Sequence, residues 1–180
     1  MADTIEGPCA DAIIEALSKR HEKEIWATEL AFDGGARRCD FWALSAHASK
    51  GFRAIAYEVK ISRADFKRDT PEKQRQARLF SDQFYYAAPE GLLTKADIPD
   101  WAGLVELRGD KLLNLVPAPL RDKDSPTWQL VASLIRNSGE VRRDADRLTE
   151  QRNSYRRMVY DARKKLKAAG QEPWKFGIHV

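Results

Sequence analysis

Cysteine is nearly absent from this chain: Cys9 and Cys39 are the two in 180 residues. Two thiols build neither a disulfide framework nor a zinc site, so a reducing, cytoplasmic setting is expected. Cys39 is expected to pack as a small hydrophobe beside Asp40. Long apolar runs are missing too, which excludes a membrane span. The charged stretch Met1–Glu6 lacks the pattern of a signal peptide. Histidine is scarce and scattered, at positions 21, 47 and 179, and no nucleophile triad or phosphate-cradling glycine loop is visible. Internal repeats and low-complexity tracts are absent.

What remains is a charged, core-forming chain. Hydrophobic residues make up 43% and charged residues 32%, with net charge +4. The isoelectric point is near 9.1 and the mean hydropathy −0.58. This length suits one ordinary domain with some appended structure. The basic balance suits a polyanionic partner without requiring one.

Apolar positions Ala12, Ile13, Ala16 and Leu17 predict a helix over 11–19, with Glu15 off the buried stripe. Strands are expected over 25–32 and 37–44, with a tight turn at Asp33-Gly34-Gly35 between them. A third strand is expected from Phe52 to Ile61, after a turn at Ser49-Lys50-Gly51. Ser62 and Asp65 read as a helix-capping box, and Thr70-Pro71 as a second helix start after a break, running to about Phe80. Gln83–Ala88 reads as a fourth strand, in which Tyr85 and Tyr86 face opposite ways and one fills the core. Residues 103–107 and 112–116 read as a hairpin across Arg108-Gly109-Asp110.

The central feature is Glu58-Val59-Lys60 at the end of the third predicted strand. Alternation puts Glu58 and Lys60 on one face. Pairing with the preceding strand would bring Asp40 towards Glu58. Two carboxylates and an ammonium would then meet at the edge of an apolar sheet, at a cost unless they pair or bind a cation. Ordinary roles compete. Asp40 could cap a strand or pair with Arg37 or Arg38. Glu58 and Lys60 could form a solvated ion pair of little energetic weight. Asp65-Phe66-Lys67, a second acidic-x-Lys triplet, is expected to belong to the capped helix, with its charges facing water.

Helix, three strands, helix and strand, with an Asp and then Glu-x-Lys, resembles the core of the PD-(D/E)XK nuclease superfamily. The resemblance is more specific to the MmcB-type nucleases of DNA repair. Glu29-Leu30-Ala31-Phe32 with Arg37-Arg38-Cys39-Asp40 is similar to that family's opening motif. The run from Glu58 through Ile61-Ser62-Arg63-Ala64-Asp65-Phe66 is similar to its most distinctive segment. Asp82–Pro89 and Ala102–Val105 resemble its following strands. Together these cover about Glu29 to Val116.

The resemblance implies an α/β, restriction-endonuclease-like fold with a mixed sheet flanked by helices. It also implies a metal-dependent nuclease that hydrolyses DNA, in repair, recombination or phage DNA processing. Asp40, Glu58 and the Val59 carbonyl would hold Mg2+ or Mn2+, whose hard-acid character suits oxygen ligands. Lys60 would orient or help deprotonate the attacking water and offset charge in the transition state. Glu15, Glu29 and Gln74 are additional catalytic candidates. For Glu15 an exposed helix charge competes, and for Glu29 a structural ion pair with Arg38. Arg38, Arg63, Lys67 and Lys73 are candidates for contacting a phosphate backbone, contacts that give affinity and register without reading sequence.

The expected domains are a nuclease-like unit over 1–120 and a basic helical extension over 121–180. Ser125-Pro126 starts one predicted helix, and Ser138-Gly139 ends it. Residues 140–169 then carry apolar positions at Val141, Leu148, Tyr155, Ala162 and Ala169, a heptad spacing interrupted at Arg152. This extension could form a homodimer or fold back on the core. The rival to an enzyme is a non-catalytic DNA-binding or scaffolding protein that keeps the nuclease fold. An RNA-directed nuclease is separable from a DNA-directed one only by substrate.

Overall fold

The computed structural model describes residues 10–32, 37–137 and 139–176. These fall into two compact units that divide between Glu140 and Val141. The Asp33-Gly34-Gly35 turn, Cys9 and Ser138 lie outside the described residues.

The first unit is a mixed α/β structure built on a six-stranded sheet. Helix α1 (Ala10–Arg20) leads into β1 (Ile25–Ala31), β2 (Arg38–Leu44) and β3 (Ala54–Val59). Two short helices, α2 (Arg63–Lys67) and α3 (Arg75–Leu79), connect β3 to β4 (Gln83–Pro89). Strands β5 (Gly103–Arg108) and β6 (Lys111–Val116) complete the sheet, and α4 (Trp128–Asn137) follows. The strands lie in chain order; β3 runs parallel to β4 and β4 to β5, and the other neighbours pair antiparallel.

Alternation divides the sheet's side chains between two cores. On one face Ile13 and Leu17 of α1 pack against Phe41, Tyr57, Val59, Tyr85 and Val105. On the other, Trp42, Ala56, Phe84, Tyr86 and Leu104 are covered by Ala77 and Phe80 and by Leu130 of α4. Both Tyr85 and Tyr86 are therefore buried, where one was expected inside. Tyr85 stacks on Tyr57 and Tyr86 meets Phe66 edge-on. A sheet covered on both faces has an inside on each. Leu130 also carries the first unit past the boundary expected at 120, because α4 lies against β1 and shares the sheet's core.

Local chemistry explains the other differences. The third strand stops at Val59, two residues before the expected end, because Ser62 caps α2 by accepting a hydrogen bond from the Asp65 amide at 3.1 Å. Asp65 thus contributes its backbone to the cap while its side chain turns elsewhere. The second helix starts at Arg75 rather than Pro71, with turns over 71–74. Cys39 is buried as expected, its thiol directed at the carbonyls of Phe41 and Tyr57.

Helix α5 (Gly139–Ala168), which makes up most of the second unit, fills the expected span. It ends where Gly170 takes a left-handed φ of 70° and the Gln171 amide bonds back to Leu166. Tyr155, Met158, Val159 and Tyr160 are exposed on it. Among the described residues no helix is long and apolar enough to cross a membrane.

Gly103 tests the packing of the α1 face. A Cβ there would lie 2.4 Å from the Tyr85 ring and 2.6 Å from the Ala118 backbone nitrogen. Backbone cannot yield as a flexible side chain can. Gly103→Ala is expected to destabilise the fold by about 1–3 kcal/mol, read as a lower urea midpoint with an unchanged slope.

Candidate active site

Asp40 and Glu58 meet where the β2–β3 ladder stops at the Phe41–Tyr57 pair. Beyond that pair the Val59 amide donates to Asp40 Oδ2 at 2.7 Å, so the carboxylate replaces a strand partner. Glu58 pairs in register with Tyr86 and shares its face of the sheet. That face is opposite the one covered by α1. The carboxyl end of a parallel strand is where side chains can emerge beyond the sheet.

Lys60 is the first residue past β3, and its amide still bonds to Ala87 at 2.9 Å. Only 5% of it is exposed. Its Nζ donates to Glu58 Oε1 at 2.9 Å and lies 3.3 Å from Asp69 Oδ2 and 3.7 Å from Asp65 Oδ2. Asp69 is held in turn by Gln74, whose Nε2 reaches its two oxygens at 3.0 and 2.9 Å. Burial, reinforced by the nearby Asp69 carboxylate, holds the Tyr86 phenol above its ordinary range. The ammonium is thereby fixed from three sides.

The electrostatics are unbalanced. Burial, followed by the charge of Asp40, pushes Glu58 up to about 7. Burial also raises Asp40, offset by the Val59 amide and reinforced by Glu29. Burial alone would lower Lys60, but Glu58, Asp69 and Asp65 outweigh it and keep the ammonium above its ordinary value. Lys60 is therefore a proton donor and a fixed positive charge. Fully ionised, Asp40, Glu58, Asp65 and Asp69 would exceed Lys60 and Arg68, which lies 3.5 Å from Asp65, by two negative charges, and the rise of Glu58 shows what gathering them costs. Glu58 Oε2 is buried and has no hydrogen-bond partner. A buried oxygen without a donor, and four carboxyls against two cations, together fit one divalent cation, whose charge would favour the ionised form of Glu58.

Asp40 and Glu58, with the Val59 carbonyl, are the groups that would hold that cation. Among the described residues no three His, Cys, Asp or Glu side chains gather into a metal-binding group, so the protein's carboxylates offer two ligands and not a closed cage. Magnesium characteristically keeps several waters and few protein carboxylates.

The remaining expectations divide. Gln74 is buried at the site, but it holds Asp69 rather than a reacting group. Glu29 lies on β1 between residues paired with Cys39 and Phe41 and pairs loosely with Arg38 at 3.8 Å. Its φ of 50° is uncommon for a residue with a side chain. Glu15 is a correction. It is 69% exposed, bonded to Lys19 at 2.8 Å, and sits on the helix that covers the other sheet face. An i,i+4 surface pair is all it makes. Arg63 is taken up by Asp97, at 2.6 Å, and by the Leu92 carbonyl. The Lys73 ammonium bonds the Arg68 carbonyl. Lys67 and Arg38 are exposed.

Asp69 was missed at this cluster; Asp65 lies in the capped helix with its side chain 39% exposed, as expected, and also comes within 3.7 Å of Lys60. Their i,i+4 spacing just after Glu-x-Lys was the available signal, since it sets both on one side of a short helical segment pointing back at Lys60.

No family model matches the chain, and no curated protein matches it. A solved structure, the SPO1766 protein of unknown function from Silicibacter pomeroyi, is similar at 21% identity with a TM-score of 0.56. The similarity covers 86% of this chain and 96% of that one, and it supports the fold alone.

Glu58 supplies a pH test. Its folded value near 7 lies above the ordinary 4.5, so the fold favours the protonated form. Stability is fullest below the unfolded value and falls as pH rises towards 7, by up to roughly 3 kcal/mol for a shift of this size. In EDTA, Glu58→Gln is expected to exceed wild type in stability at about pH 8, with the gap closing towards about pH 4. Urea denaturation across that window checks it. A constant gap would mean that Glu58 ionises without cost.

Proposed function

We propose that this protein is a Mg2+-dependent nuclease that hydrolyses DNA phosphodiester bonds on a restriction-endonuclease-like core. One observation carries the reading: the buried, partnerless Glu58 Oε2 stands beside Asp40 in a cluster whose four carboxyls outnumber its two cations. A purely structural ion cluster gains nothing from an unpaired buried carboxylate oxygen. A cation-binding site requires one. The resemblance of Glu58-Val59-Lys60-Ile61-Ser62-Arg63-Ala64-Asp65-Phe66 to the MmcB-type nucleases points to the same chemistry.

When bound, the metal supplies a Lewis acid for the phosphate and lowers the pKa of water. The chain's own groups have distinct tasks. Asp40, fixed by the Val59 amide, and Glu58 present oxygens to the cation. Lys60, held protonated, orients the attacking water and stabilises the charge that develops on the phosphate. Asp69, with Gln74 and Tyr86 behind it, keeps the ammonium at the end of β3.

Self-association through residues 140–169 belongs to this reading as a means of pairing two sites on a duplex. It would rest on the exposed Tyr155, Met158, Val159 and Tyr160. The rival, a DNA-binding scaffold, predicts affinity without cutting.

Labelled single-stranded, duplex and branched DNA, incubated with Mn2+ or with EDTA, distinguishes the two. Metal-dependent cutting is expected, reduced at least about a hundredfold in Lys60→Ala and Asp40→Asn. Tight binding with no cleavage of any substrate would favour the scaffold.

A further inference from the structure

A second concentration of charge, of the opposite sign, follows the carboxylate-bearing segment along the chain. Gln74, which holds Asp69, directly precedes α3, and that helix carries Arg75 and Arg78. These two and Arg121, from the segment after β6, line a pocket of about 350 Å3 with Pro71, Glu72 and Leu79. A volume of this size is at the lower end of small-ligand pockets. Helix α3 packs on the sheet face that bears Glu58, through Ala77. Pocket and carboxylates therefore open on the same side of the sheet.

The guanidiniums are poorly compensated. Among the described residues none of the three lies within ion-pairing distance of a carboxylate. Arg78 stacks over Trp101, 4.1 Å from the ring centroid, and its Nε is buried without a hydrogen-bond partner. Arg121 is half-buried, and burial together with the charge of Arg78 pulls it below its ordinary value. Two guanidiniums that repel each other at low exposure call for an anion between them. The nearby acids compensate only beyond ion-pairing distance: Asp124 and Asp82 act on Arg121 and Glu72 on Arg78, while Asp82 is bound closely by Lys123 at 2.8 Å and by the Ala54 amide.

We propose that Arg75, Arg78 and Arg121 form a receptor for the terminal phosphate monoester of a nucleic-acid strand that also reaches the carboxylate site. Charge selects the monoester. Three guanidiniums against the one carboxylate of Glu72 leave two positive charges in the pocket. A terminal phosphate carries about −1.5 to −2 at neutral pH, whereas a backbone diester carries one. Arginine forks also match the tetrahedral oxygens of a phosphate better than point charges do. The proposal rests on the nuclease reading for the strand that it anchors, and it gives that reading a preference for ends over uninterrupted backbone.

The test is binding in EDTA, where no metal-dependent cutting intervenes. Internally labelled oligonucleotides of one sequence carry a 5′-phosphate, a 3′-phosphate, or hydroxyls at both ends, and anisotropy reads their affinities at fixed salt. One phosphorylated form is expected to bind on the order of tenfold more tightly than the hydroxyl form, the size of one charge-assisted hydrogen bond. The form preferred names the end that is read. Inorganic phosphate should erase the preference, and so should Arg121→Gln. If Arg121→Gln fails to fold by circular dichroism, the exposed Arg75→Gln carries the same test. Equal affinity for all three strands, or a preference that persists in the folded variants, overturns the proposal. A protein that cuts with Mn2+ but ignores the terminal phosphate loses the pocket and keeps the nuclease reading. One that prefers the phosphate but cuts nothing keeps the pocket and loses the nuclease reading.

Discussion

The first unit is arranged around a buried imbalance of charge: Asp40 and Glu58 side by side, with Lys60 as the cation beside them. Burial of like charges is among the costliest arrangements a fold can keep. The surroundings moderate that cost without removing it. The Val59 amide serves one Asp40 oxygen, and Lys60 serves one Glu58 oxygen. The second Glu58 oxygen is left without a donor. Apolar side chains of similar volume would fill this volume at less cost. Unpaired negative charge kept at such expense contributes little to stability, and on the proposed reading a bound cation would offset it.

The topology explains why the charges collect where they do. Strands β3 and β4 run parallel, so β3 ends in open space that the α2–α3 connection must cross before the chain returns. That crossing places Asp65, Asp69 and Gln74 over the end of the strand. Below it, aromatic packing fixes the frame: Phe66 and Phe84 pack edge-on against Tyr86, and Trp101 packs at an angle to it. Tyr86 links the two layers, since its ring belongs to the core and its phenol feels the charge of Asp69. A disturbance in that aromatic cluster is therefore felt at the ammonium.

Much of this was legible in the sequence, for a physical reason. Alternation, β-branched and aromatic content and turn residues are local signals, and they located all six strands to within about two residues. The Asp40–Glu58–Lys60 meeting followed from pairing two neighbouring strands. What sequence missed depended on three-dimensional closure. The approach of Asp65 to Lys60 was not read because a capping side chain and a site side chain have the same local pattern, and here Ser62 took over the cap. Glu15 lay at a permitted position on a permitted helix, but no one-dimensional signal says which sheet face that helix covers. For Tyr85 and Tyr86 the alternation was read correctly, and only the number of covered faces was not.

The same distinction governs how the basic charge should be read. A net charge of +4 says little about a nucleic-acid surface until each cation's partner is known. Arg63 is neutralised by Asp97, and the Lys73 ammonium is engaged by the Arg68 carbonyl, so two residues that look like phosphate contacts are committed to the fold. Arg75, Arg78 and Arg121 have no carboxylate at ion-pairing distance among the described residues, and they share one pocket. Electrostatic attraction for a polyanion scales with uncompensated charge, not with the number of lysines and arginines. The side of the sheet bearing Glu58 thus carries a carboxylate-rich cluster and, on the helix α3 that packs there, an arginine-rich pocket. On the proposed reading, such a dipole would orient a charged strand before any base is contacted, because a phosphate at the arginines and a cation at the carboxylates would attract each other.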